Sequence, residues 1–224
     1  MTRIILDLCG GTGAWSAPYR EAGYDVRLVT LPEQDVRTYV PPENVHGILA
    51  APPCTEFAAS GARWWATKPP HLLAEAREIV DACLLIIAAC SPLWWALENP
   101  VGRLRRFIGP PAWTFQPWEY GDPWLKKTCV YGTAKRPEKK PVPIAPIATE
   151  GFKMRGGKYK NRQGAINAAS NSRHNNPGEF MRALVRGGYV PADWVHRPGP
   201  SPVRATLRSI TPPGFARAFF AANP

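Results

Sequence analysis

Two side chains in this sequence have the type and setting for covalent chemistry on an unsaturated ring. Cys54 lies in ILAAPPCTEFAAS (residues 48–60), after an apolar run and a Pro-Pro pair. A free thiol has a pKa near roughly 8.5, so about a few per cent is thiolate at neutral pH, and that form is a strong nucleophile. Glu98 lies in LWWALENP, also directly after apolar residues. A carboxylate there is costly without a partner. A cap-like contact, an ion pair with Arg103, or a hydrogen bond to a base edge would each supply one.

Around these residues, short apolar runs bounded by Gly and Pro predict strands at 3–8, 25–31, 45–51, 94–99 and 126–132. AWSAPYREAGY predicts a helix closed by Gly23. Residues 71–90 predict a long helix, with apolar positions at 72, 73, 76, 79, 80, 83, 84 and 87 on one broad face. A last helix is expected from Gly214, and a helix and turn over 179–191. Strands alternating with helices argue a parallel sheet with crossover helices, a Rossmann-like α/β layout whose ligands sit at the carboxyl ends of strands. Cys83 and Cys90 fall on the long helix and read as core residues. Cys54, at a strand's end behind two prolines, reads as facing the ligand crevice.

DLCGGTG (residues 7–13) follows the first strand at that same edge. Glycines between a strand and a helix let backbone approach a ligand, and the helix start favours polar or anionic groups. The spacing is not GxGxxG, so a dinucleotide fits less well, and S-adenosylmethionine fits at least as well. Asp35, at a third strand or turn, has the chemistry to accept a hydrogen bond from an adenine amino group; a local cap is the simpler reading of a lone carboxylate.

Together Cys54 and Glu98 suggest one reaction. Cytosine C5 is a poor nucleophile until a thiolate adds at C6, with N3 protonated or hydrogen-bonded at the same time. Cys and a nearby Glu supply both halves. The chain resembles the cytosine-C5 DNA methyltransferases, in a compact, phage-like form. DLCGGTG resembles the family's D-L-F-x-G-x-G, APPCTEF its P-P-C-Q loop, ALENP its E-N-V element, and YGDPWLKKT its Y-G-x-P…R-x-R segment. RSITPPGFA resembles its closing segment, and the matches run in the family's order.

The resemblance implies an S-adenosylmethionine-dependent methyltransferase fold with a small, irregular, basic target-recognition region. Residues 1–135 plus 208–224 would form the catalytic domain and 136–207 the recognition region. It implies Cys54 as nucleophile and Glu98 as the N3 partner, with Lys126 and Lys127 in the place of the family's arginines. It implies S-adenosylmethionine held by Asp7, Cys9, Gly11, Gly13, Glu33, Asp35, Pro52 and Ser209, and a target base flipped out of the stack. The sequence departs from the family at four places. Cys9 replaces an aromatic, Thr30-Leu31 an acidic ribose partner with Glu33 beside it, Thr55 a Gln, and the two lysines lose the bidentate fork of arginine.

Charge points to a polyanion. Residues 1–122 hold 10 Lys/Arg against 13 Asp/Glu, whereas residues 123–224 hold 18 against 4, and the whole chain carries +11. Lys153, Arg155, Lys158, Lys160, Arg162 and Arg173 are expected on phosphates, which position without specifying. Asn161, Gln163, Asn167 and Asn175 are expected at base edges. A recognition region this small predicts a short or relaxed target, read by a monomer.

The composition disfavours several other classes. Five cysteines (9, 54, 83, 90 and 129) without CxxC spacing argue against zinc or a disulfide framework and for a reducing cytoplasm, that of a bacterium or a phage-infected host, near the nucleoid. The start lacks the apolar core of a signal peptide, and no run is long enough to span a bilayer. Amino-methylating DNA enzymes need D/N-P-P-Y/W, where this chain has Ala51 and Cys54. An RNA cytosine-C5 methyltransferase would use the same Cys and Glu. A non-enzymatic binding protein on the same fold is the remaining alternative, which the paired Cys54 and Glu98 disfavour. Transfer of an alkyl group other than methyl is compatible with the same residues.

Overall fold

The computed structural model describes residues 2–122, 125–141 and 209–224. The expected helix at 179–191 and the basic and amide residues between 153 and 175 lie outside the described residues. The chain divides into two units: one of residues 1–115, 127–138 and 210–224, the other of residues 116–126 and 139–209.

The first unit is built on a six-stranded sheet: β1 (Ile4–Leu8), β2 (Asp25–Val29), β3 (Val45–Ala50), β4 (Trp94–Pro100), β5 (Trp113–Phe115) and β6 (Thr128–Gly132), in the order β2-β1-β3-β4-β6-β5. β1 pairs in parallel with β2 and β3, and β3 with β4, so four carboxyl ends share one edge. β6 runs antiparallel to both β4 and β5. The sheet is therefore mixed α/β with a parallel core, a Rossmann-like layout carrying one reversed strand. β3 is buried at Val45 and throughout Gly47–Ala50, as expected of a central strand covered on both faces.

Alternation along the strands assigns the two faces. Leu6, Leu8, Ile48, Ala50 and Leu97 share a cluster with Ala76, Val80, Cys83, Ile86 and Ile87 of α2 (Pro70–Cys90). Each buried Leu, Ile or Val among them contributes about 1.5–3 kcal/mol. The other face is aromatic. Trp15 before α1 (Ala17–Glu21), Tyr19 in it, and Trp94 of β4 meet Phe215, Phe219 and Phe220 of the final described helix, α4 (Pro213–Ala222), which follows α3 (Arg105–Ile108). Phe115 of β5 stacks on Phe215 with centroids 3.7 Å apart. Asn223 fastens the end of α4: its Oδ1 accepts from Lys135 N, its Nδ2 donates to Lys135 O, and its carbonyl accepts from the Tyr19 hydroxyl.

Three expectations change. The helix read from AWSAPYREAGY is only Ala17–Glu21, because residues 11–16 are turns and Pro18 sits at the helix start. The second strand stops at Val29, short of the expected residue 31, while the stretch holding Asp35 takes the turn form, one of the two expected of it. β5 and α3 were not foreseen. No helix among the described residues is long and apolar enough to cross a membrane.

Candidate active site at the carboxyl edge of the sheet

The glycine loop starts where β1 ends. Cys9 takes a left-handed conformation (φ 56°) while its N–H donates to Val29 O at 2.7 Å, so the chain turns sharply between β1 and β2. Gly11 and Gly13 are also left-handed, at φ 55° and 68°. Gly10 is required for space: a Cβ there would lie 2.4 Å from the Asp7 carboxyl.

Asp7 is fully buried on β1. Its Oδ2 accepts from Ser16 Oγ at 2.5 Å, and its Oδ1 has no hydrogen-bond partner among the described residues. Burial pushes its pKa up to about 6, against the pull of Ser16 and of the Arg20 charge. Ser16 thereby serves the strand rather than capping α1, a role the sequence reading missed.

The next loop carries Cys54. After β3 ends at Ala50, Pro52 is buried and Cys54 half-buried, and the Cys54 carbonyl accepts from both Phe57 N and Ala58 N at 2.9 Å. The chain thus folds back in a tight turn directly behind the thiol. Glu56, in that turn, is buried and holds Lys68 Nζ at 2.5 Å. Arg103 Nε donates to the Glu56 carbonyl at 2.6 Å, and Arg103 Nη2 lies 3.8 Å from Glu56 Oε2. The sequence reading named Arg103 only as a candidate partner of Glu98 and missed Glu56 altogether.

Glu98 and Asn99 close β4. Glu98 falls on the same sheet face as Asp7, two residues beyond the register position where Asp7, Leu49 and Ala96 align. Asn99 points to the opposite face, is fully buried, and donates from Nδ2 to the Pro52 carbonyl at 3.1 Å. Its Oδ1 has no partner among the described residues. β6 begins at the same edge, with Thr128 opposite Pro100, which places exposed Lys127 there. Cys129, opposite Asn99, is pushed up by burial and by the Glu98 charge and pulled down by that of Lys127, so both charges reach one point of the edge.

Glu33 is exposed in the turn after β2. Asp35 there is engaged by Arg37, whose Nη2 lies 2.5 Å from Oδ2 and whose backbone N–H donates to Oδ1 at 3.0 Å; these bonds hold its carboxyl down at about 2. Its described partner is thus the local one that a turn carboxylate commonly takes.

The second unit is described separately. Lys126 is half-buried there, and its N–H donates to Gln116 Oε1 at 3.0 Å. A short 3₁₀ turn, Pro117–Tyr120, is closed by a capping box between Gln116 and Glu119, and Lys139 pairs with Glu119. Ser209 also belongs to this unit and is exposed. Among the described residues, no group of three or more His, Cys, Asp or Glu is arranged to hold a metal ion.

No family model matches this chain, and no curated protein matches it. Among solved structures, the chain is similar to an E. coli protein provisionally described as a DNA modification methyltransferase encoded within prophage Cp, at 16% identity and a TM-score of 0.41. The match covers 58% of this chain and 46% of that one, so this chain spans about half of that protein's length.

Proposed function

We propose that this chain transfers a methyl group to carbon 5 of cytosine in DNA, through a covalent bond between Cys54 Sγ and C6 of the base. The observation that carries the reading is the Asn99–Pro52 hydrogen bond, which ties the end of the strand bearing Glu98 to the turn bearing Cys54. The thiolate of Cys54 adds to C6, while the Glu98 carboxyl holds a proton against N3. The electron pair released into the ring makes C5 nucleophilic. After C5 is alkylated, its proton passes to solvent, the N3 proton returns to the Glu98 carboxylate, and the C5–C6 double bond re-forms as the Cys54 thiolate leaves. Lys127 adds positive charge at the same edge.

The residues present fit S-adenosylmethionine. A fully buried carboxylate has one oxygen without a partner among the described residues, and the glycine-rich loop beside it has two left-handed glycines. Asp7, Cys9, Gly11, Gly13, Glu33, Asp35 and Pro52 would hold it, Asp35 after exchanging part of its Arg37 contact. When bound, this cofactor supplies an electrophilic methyl on a sulfonium. Residues 136–207 would form the target-recognition region, with Lys153, Arg155, Lys158, Lys160, Arg162 and Arg173 on phosphates.

The test is nucleoside mass spectrometry on duplex DNA incubated with the protein and S-adenosylmethionine, beside a Cys54→Ala control. 5-Methyldeoxycytidine that vanishes in the control supports the reading. Product on transfer RNA but not on DNA would move the substrate class, and no product on either would overturn the reaction.

A further inference from the structure

Beyond the recognition region, the first unit carries its own basic and aromatic surface. Residues 59–64 form a 3₁₀ helix that starts five positions after Cys54, and residues 101–108 follow the end of β4 and finish in α3. The two segments are stitched together. Ala58 and Gly102 form an antiparallel bridge, Ala59 N donates to Val101 O, and Arg103 N donates to Phe57 O, both at 2.8 Å. Arg103 also lies over the Trp65 ring at 4.7 Å.

Glu56 pairs with Lys68 at 2.5 Å and lies 3.8 Å from the Arg103 guanidinium, so one negative charge faces two positive ones. No carboxylate occurs at residues 57–70 or 101–112, so Arg63, Arg105 and Arg106, all exposed, present positive charge outward. Two aromatic rings stand among these cations. Trp64 is 46% exposed with the Arg63 guanidinium 3.7 Å from its centroid, and Phe107 is 38% exposed under Arg77 at 4.7 Å. The exposed indole of Trp64, with an arginine against it, offers ring surface on which a base can stack. Flanking cations are what a phosphodiester chain requires.

We propose that this surface, built by residues 59–64 and 101–108, binds a stretch of nucleic acid with an unpaired base. Trp64 stacks on the base, and Arg63, Arg105 and Arg106 track the phosphates. The inference rests on the nucleic-acid substrate proposed above and adds a contact on the catalytic unit itself. Charge complementarity selects the occupant, because the exposed arginines of two segments that contain no carboxylate match a polyanion.

The experiment is fluorescence anisotropy of the full chain with a labelled mixed-sequence single strand and the corresponding duplex, at several salt concentrations. Trp64→Ala is expected to weaken single-strand binding about 5- to 150-fold, the range for one lost base stack, and to weaken fully paired duplex much less. Trp64→Phe should recover most of the loss. Arg63→Gln with Arg106→Gln should lower the slope of log affinity against log salt by about one to two. Wild-type affinity in Trp64→Ala, or an unchanged salt slope in the arginine pair, would overturn the surface while leaving the reaction standing. Loss of all nucleic-acid binding by the wild type would instead overturn the function proposed above. Both arginines are exposed, so the double variant keeps the test open even if Trp64→Ala melts early.

Discussion

Asn99 donates from Nδ2 to the backbone carbonyl of Pro52, 47 positions earlier in the chain, and does so in a fully buried setting. That bond joins two strand ends whose side chains would do the chemistry. It fixes the ENP terminus against the PPC turn independently of any ligand. Removing it leaves a buried carbonyl without a partner, which costs about 1–3 kcal/mol. Asn99→Ala should therefore lower the urea midpoint by a corresponding amount. It should also reduce turnover more than cofactor affinity, because the displaced element carries Cys54. Urea denaturation and single-turnover kinetics check the two halves, and unchanged turnover would remove Asn99 from the positioning of Cys54.

Asp7 gives a pH signature. Its carboxyl ionises near 3.8 when unfolded and at about 6 when folded, so the folded state binds its proton more tightly. Stability from this group is complete below pH 4, falls as pH rises through 6, and stays lost above it. The difference corresponds to about 3 kcal/mol at most, at order-of-magnitude precision. Asp7→Asn should flatten the stability profile between pH 4 and 7 and equal or exceed the wild type at pH 8. Chemical denaturation across that range would show it, and an unaltered slope would mean that Asp7 stays ionised in the fold.

Gly102 sits where the two loops of the candidate site cross. A Cβ there would lie 1.8 Å from the Phe57 carbonyl oxygen, which is backbone and cannot swing aside. Gly102→Ala should destabilise the chain by about 1–3 kcal/mol or more, the cost of overpacking. It should also increase amide exchange at Phe57–Ala59, where the bridge to Gly102 is broken. Hydrogen exchange of the variant against the wild type reads this directly.

The elements flanking the site were legible because each begins or ends on punctuation that local physics enforces. The prolines after Ala51, Pro100 after ALEN, and Gly132 after TCVY stop strands whatever they pack against. The 3.6-residue spacing of α2 was equally local. β5 was not legible, since three residues carry no period; Trp113–Phe115 is a strand because β6 offers a partner and Phe215 stacks on Phe115. The same holds within the site. Cys54 and Glu98 stand out by residue type, whereas Ser16 under Asp7 and Asn99 under Pro52 act through pairings that only the sheet creates. The charge ledger misled in one respect. Averaging residues 1–122 to a net of −3 hid a run of arginines from 103 to 106, because the offsetting carboxylates lie elsewhere.

Glu56 is the last group whose removal should tell. It is buried beneath the turn of Cys54, with Lys68 at 2.5 Å and the Arg103 guanidinium over its far oxygen. A buried pair adds little over a well-packed apolar substitute, but breaking one side strands the other charge. Glu56→Gln alone should therefore cost about 2–4 kcal/mol. Adding Lys68→Met to it should cost less than the two single effects combined, with a coupling of about 1–2 kcal/mol in a double-mutant cycle. Denaturant midpoints of the four proteins measure it. Full additivity would mean that Lys68 only shields Glu56 from solvent, and that Arg103 alone anchors the turn of Cys54.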